Sequence, residues 1–150
     1  MQARYAIVVS DFNEEITQPL LDGALARFKQ KSIDMQQISV THVPGAVEIP
    51  LAAKLLADTG QYDAIICLGA VIKGDTNHYD YVCEQVSQGC QRVMLDLEIP
   101  VIFGVLTTTT VEQAVERIGG AHGHKGYDAA DAAISMVKVV NDIRGIKNVK

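Results

Sequence analysis

Residues 64–97 read AIICLGAVIKGDTNHYDYVCEQVSQGCQRVMLDL. The unbroken apolar run Ala64 to Leu68, rich in β-branched residues, suits a strand buried on both faces. From about Tyr79 to Leu97 the period changes, and Val82, Val86 and Val93 fall on the inward face of a helix. Between the two lies a turn, Gly69 to Tyr81, containing Gly74, Thr76 and His78. A buried strand that leads through a turn into a covering helix is the unit of a parallel sheet.

Working outward, three further runs of the same kind occur at Tyr5 to Val9, Ile38 to Val43 and Val101 to Leu106. Helical segments separate them. Ile16, Leu20, Ala24 and Phe28 recur at i, i+4, predicting a helix from about Thr17 to Lys31, with Pro19 tolerated because it falls in the first turn. Pro50 to Asp58 carries Leu51, Leu55 and Leu56 and stops at Gly60, a residue suited to the left-handed position after a helix. Pro50 starting that helix leaves Glu48 in its first turn. Thr110 with Gln113 forms a capping box for a helix through Arg117, and a connector, Gly119 to Gly126, leads into a last helix ending near Arg144. Strands alternating with helices require a four-stranded parallel sheet with right-handed crossovers and helices on both faces. The expected fold is thus a single α/β domain over residues 1–150, a three-layer doubly wound, flavodoxin-like sandwich. Ligands in such sheets gather beyond the carboxyl ends of the strands. There Ser10 to Asn13, Pro44 to Glu48, Gly69 to His78 and Thr107 to Thr110 should meet.

Composition narrows the class. Nearly half of the 150 residues are apolar, enough to bury a sizeable core. The net charge of −5 and the lack of a Lys/Arg cluster argue against nucleic acid. No apolar run approaches a membrane span, and the start MQARYAIVVSD lacks the features of a secretory signal, so a cytoplasmic location is expected. Cys67, Cys83 and Cys90 show no metal spacing and fit free thiols in a reducing compartment.

Several residues carry possible chemistry, each with a plainer alternative. The turn at Gly74 points backbone N–H groups and a positive helix end at one spot, which suits a phosphate, with Thr76 and Lys73 adding a hydroxyl and a charge. Thr76 could equally cap the helix and Lys73 face solvent. His78 can exchange protons near neutral pH, or can simply bond a carbonyl at the helix start. Phe12 and Asn13 could stack on a planar ring and bond its edge, or pack and turn the chain. Glu48 either complements a helix dipole or accepts bonds from a polyhydroxylated ligand. Arg117 can clamp a phosphate bidentately, or sit unremarkably at a helix end. His122 and His124 lack a third ligand nearby in sequence, so no metal is expected.

The order and spacing of the blocks FNEEIT, VPGAVEIPLAA, GAVIKGDTNHYDYV, IPVIFGVLTT and EQAVERIGG…HKG over nearly the whole chain resemble the lumazine synthase family. The resemblance implies an enzyme of riboflavin biosynthesis that condenses 5-amino-6-(D-ribitylamino)uracil with 3,4-dihydroxy-2-butanone 4-phosphate. No metal or organic cofactor is implied. Carried over by position, Phe12 would stack on the pyrimidine, with Asn13 beside it. Ala46, Val47 and Glu48 would hold the same substrate, Glu48 through the ribityl hydroxyls, and Ala70, Val71 and Ile72 would offer it backbone contacts. Asp75, Thr76 and Arg117 occupy phosphate positions, and His78 that of the acid/base. Phe103 matches an aromatic from a neighbouring subunit, and Lys125 a basic residue near the site. The family's active sites form between subunits of a homopentamer.

Three positions depart from the family pattern. Val47 is commonly aromatic, Asp75 commonly small, and Ala121 often a lysine. The chain starts only a few residues before its first strand, whereas shell-forming relatives carry an N-terminal arm, so a pentamer or pentamer pair is expected rather than an icosahedral shell. The alternatives are an archaeal-type riboflavin synthase, against which the phosphate set Thr76 and Arg117 argues, and a non-catalytic flavin- or lumazine-binding or shell-forming homologue.

Overall fold

The computed structural model describes residues 2–146. Its strands are β1 (Tyr5–Ser10), β2 (Ile38–Val43), β3 (Ala64–Ile72) and β4 (Val101–Thr108), and its main helices α1 (Glu14–Gln30), α2 (Ile49–Asp58) and α3 (His78–Leu97). After β4 come the short helix α4 (Val111–Val115), a small hairpin of β5 (Ile118–Gly120) and β6 (Gly123–His124), and α5 (Lys125–Arg144). The four long strands pair in parallel in the order β2-β1-β3-β4. This is the expected doubly wound α/β sandwich.

The period of two along β1 assigns its side chains to two cores. Tyr5, Ile7 and Val9 pack with Ile16, Leu20, Ala24 and Phe28 of α1 and with the alanines of α5. Ala6 and Val8 face the other way, onto Ile49 and Ala53 of α2 and Val86, Cys90 and Val93 of α3. Both central strands are therefore covered on each face, as a parallel sheet requires. Cys67 on β3 and Cys90 on α3 lie buried in the second core as free thiols. The neighbouring Cys90 and burial push the Cys67 thiol well up. Among the described residues no helix is long and apolar enough to cross a membrane.

Several element ends differ from the sequence expectation. Helix α1 begins at Glu14, three residues early, because the Asn13 carbonyl accepts from both Ile16 N and Thr17 N. Pro19 is consequently inside the helix rather than in its first turn, and one intrahelical hydrogen bond is missing there. Ahead of α2, residues Ala46–Glu48 form a separate 3-10 turn, so Glu48 precedes the α-helix instead of lying in its first turn. On α2 the buried face is Ile49 and Ala53, while Leu51 and Leu55 point outward and are exposed. Strand β3 continues to Ile72, absorbing the start of the expected turn, because β4 pairs with it as far as Ile72 beside Thr108. The helix expected through Arg117 stops at Val115, and the glycine connector folds into the β5–β6 hairpin, with Gly119 (φ 109°) and Gly123 (φ 79°) in the left-handed region. The capping box of Thr110 and Gln113 is present, Gln113 N donating to Thr110 Oγ1 at 3.1 Å.

Candidate functional site

The chain turns from β1 to β2 on one side of the sheet and returns to β3 on the other, so the switch point lies between β1 and β3. At its carboxyl end is a cavity of about 450 Å³. Three of the four expected segments build it. The β1 end supplies Phe12 and Asn13, the β2 end Gly45, Ala46 and Val47, and the β3 end Ala70, Val71 and Ile72. Gly74, Thr76 and His78 close the remaining side together with Tyr79 and Val82 of α3.

Local hydrogen bonds explain the shape. Asp11 N donates to Val43 O at 2.8 Å and Phe12 N to Pro44 O at 3.0 Å, which extends the pairing of the two chain segments past their strand ends. The Phe12 ring is left 71% exposed at the cavity wall. Asn13 then takes a left-handed conformation (φ 63°), tolerable for asparagine, and its Nδ2 donates to Ala70 O at 3.1 Å. The ladder between β1 and β3 stops at Val9 beside Leu68, whereas that between β3 and β4 runs on to Ile72. Beyond Leu68 the β3 backbone stays paired with β4, and its other edge, which β1 no longer covers, faces the cavity. Gly69 allows the close approach below it: a Cβ there would lie 2.8 Å from Ser10 Oγ and 3.0 Å from Ile49 Cδ1.

Glu48 is exposed and holds the turn at the cavity rim, its Oε1 accepting from Gly45 N at 2.9 Å. Thr76 Oγ1 accepts from His78 N at 3.2 Å, a turn bond that occupies the first N–H of α3 while Thr76 also lines the cavity; the N-cap itself is Asn77, which makes no side-chain cap bond. His78 opens α3 with its side chain on the cavity. Asp75 lies exposed in the same turn but off the lining. Tyr79 was not singled out from the sequence, though it sits beside His78 and shares the helical stripe of Val82 and Val86. Burial, then the Cys83 thiol, push the Tyr79 phenol up, while the Thr107 hydroxyl opposes them.

A second cleft, of about 340 Å³, collects other residues of interest. Arg117, Lys125, Thr107 and Thr108 line it with His122 and Asp128. Contrary to expectation, Thr107 and Thr108 border this cleft and not the first cavity. The β3–β4 ladder joins the two linings, with Ala70, Val71 and Ile72 beside Leu106, Thr107 and Thr108, and the hydrogen bond from Lys73 N to Thr108 O at 2.9 Å extends it. Arg117 Nη1 donates to Gln113 O at 2.7 Å and Arg117 O accepts from Lys125 N at 2.7 Å, so the two cations share one backbone frame. His122 Nε2 stands 3.5 Å from Glu116 Oε2. Phe103 on β4 is half-buried against the α2–α3 core and lines neither space. Within one chain, then, Phe103, Arg117 and Lys125 are not brought to His78. Among the described residues no group of three His, Cys, Asp or Glu side chains could hold a metal ion.

The model of the 6,7-dimethyl-8-ribityllumazine synthase family matches residues 2–141. Similar curated proteins include the 6,7-dimethyl-8-ribityllumazine synthases of three Coxiella burnetii strains: Dugway 5J108-111, CbuG_Q212 and RSA 493 / Nine Mile phase I. Each is 58% identical over 123 residues, covering 82% of this chain and 82% of the relative. A doubly wound sheet with a cavity at its switch point, matched by the family model along nearly its whole length, places this chain in the 6,7-dimethyl-8-ribityllumazine synthase family.

Proposed function

We propose that this enzyme condenses 5-amino-6-(D-ribitylamino)uracil with 3,4-dihydroxy-2-butanone 4-phosphate, releasing phosphate and water and forming 6,7-dimethyl-8-ribityllumazine. The observation that carries the reading is the cavity between β1 and β3, apolar on its side walls and open to the edge of β3 that β1 leaves uncovered, with His78 at its rim. A flat pyrimidine stacked on Phe12 finds amide and carbonyl groups of residues 70–72 at its edge. The ribityl chain runs toward Ala46, Val47 and Glu48.

Imine formation and phosphate elimination both move protons, and His78 serves as the acid/base for each. The remaining acceleration comes from holding two reactants in register, so the reading requires no metal or organic cofactor. The phosphate is met by Thr76 beside Asp75 and by the cations Arg117 and Lys125. Because Arg117, Lys125 and Phe103 lie off the His78 cavity, a neighbouring copy supplies them, and the working form is a homopentamer or a pair of pentamers. The catalytic unit is one domain of residues 1–150, acting in the cytoplasm, where thiols such as Cys67 and Cys90 stay reduced.

Purified protein mixed with both substrates should give lumazine absorbance and free phosphate in equal amounts. A rate no greater than the uncatalysed reaction rejects the reading.

A further inference from the structure

His124 ends β6 and is the N-cap of α5. Its Nδ1 accepts from Gly126 N at 3.1 Å and Tyr127 N at 3.4 Å, and its ring stacks on Tyr127 with centroids 4.7 Å apart. The ring is seated in a slot made by glycines. A Cβ at Gly23 of α1 would overlap it, while at Gly126 a Cβ would first meet Leu20 O of α1 and lie 3.0 Å from Cε1. Capping alone asks only for a short oxygen-bearing side chain, so the large ring and the glycine at position 23 that admits it need another account.

The neighbours of His124 supply one. Lys125 follows it directly and donates its backbone N–H to Arg117 O at 2.7 Å, and Ile118, next to Arg117, is the strand partner of His124. The cap therefore joins the segments that carry both cations of the second cleft. An imidazole accepts at Nδ1 only when neutral, with its proton on Nε2.

We propose that His124 is a positioning residue for the phosphate substrate: its neutral ring caps α5 and sets Lys125 against Arg117, and protonation at acid pH releases that arrangement. The inference rests on the reading of Arg117 and Lys125 as phosphate-binding groups. Burial holds the His124 imidazole below the usual histidine range, with Asp128 opposing. Among the described residues, α5 presents that carboxylate and the stacked Tyr127 phenol ring, while α1 presents Gly23 and the hairpin presents Gly119; Arg117, His122 and Lys125 line the adjoining cleft. A folded-state pKa below the unfolded value means that the folded form resists the proton. The contribution of the cap is then complete above the unfolded histidine range and is lost as pH falls through the lower folded value.

The test compares wild type with His124→Asn, whose amide oxygen can cap but does not titrate, in steady-state kinetics between about pH 5 and 8. Protonation of the substrate phosphate is common to both proteins and cancels in the comparison. On acidification the KM for the butanone phosphate should rise about fivefold more in wild type than in the variant, with aminouracil KM moving alike in both. At the alkaline end, His124→Ala should raise the phosphate-substrate KM about fivefold with kcat retained. Parallel pH profiles for wild type and His124→Asn overturn the inference, as does an alanine loss shared equally by both substrates. Should the alanine variant not fold, thermal melts decide: Tm should fall with pH more steeply in wild type than in His124→Asn, and equal slopes overturn the inference. Failure of the underlying reading is separable, because it shows as an Arg117→Ala variant with an unchanged phosphate-substrate KM.

Discussion

Asn13 Nδ2 donates to the carbonyl oxygen of Ala70 at 3.1 Å, bridging the ends of β1 and β3 just where their ladder has stopped. This bond ties the Phe12 wall of the cavity to the β3 backbone. Asn13→Gly removes the bond but keeps the left-handed backbone easy, whereas Asn13→Ala removes the bond and strains the backbone. Both should raise the aminouracil KM, and the alanine variant should be less stable than the glycine variant by about 1 kcal/mol. Denaturant midpoints and KM values for the two substrates check the pair.

Arg117→Ala should weaken use of the butanone phosphate by about tenfold to a hundredfold in KM, since a bidentate charge-assisted contact is lost. Direct binding of the aminouracil, followed by calorimetry, should hardly change. Equal losses for both substrates would refute the phosphate assignment.

For His78→Ala, kcat should drop about a hundredfold while both substrates still bind. The residue opens α3 at the cavity lining with its backbone N–H engaged by Thr76, so truncating the side chain leaves that turn bond intact. Rapid-mixing measurements of the first turnover separate chemistry from binding, and an unaltered turnover removes the catalytic role.

Tyr5 is fully buried against Phe28, ring centroids 4.8 Å apart, and its hydroxyl lacks a hydrogen-bond partner among the described residues. Tyr5→Phe should therefore raise stability by about 1 kcal/mol, read from a urea midpoint. Burial, followed by the charge of Asp63, pushes the phenol up from 10.0 to about 12. Stability tied to the un-ionised phenol is present below pH 10 and lost as pH rises through that window, so the phenylalanine variant should show a shallower alkaline loss.

Periodicity made the inner parts of the fold legible. The stripe Ile16, Leu20, Ala24, Phe28 is buried throughout, and the apolar runs are the strands of the sheet. Element ends were less legible, because pairing partners distant in sequence determine them. Gly69 to Ile72 reads as a turn in isolation and becomes strand only because Val105 to Thr108 lie alongside. The candidate site divides in the same way. Phe12, Asn13, Ala46, Val47, residues 70–72, Thr76 and His78, named from the sequence, line one cavity, while Arg117 and Lys125 line another. His124 gave no sign of its position, since the glycine that receives its ring lies far back in α1.

The unequal reach of β1 and β3 also shapes how this protein can change over time. In the proposed reading the ring edge meets main-chain groups of residues 70–72, atoms that every amino acid except proline possesses in full. Side-chain size at those positions answers to packing and not to the ligand, because Ala70 and Val71 are buried in the two cores and Ile72 packs against the first. The presented edge itself depends on the length of β4, whose last residues keep that stretch extended, so a shortened β4 would remove it without touching a cavity side chain.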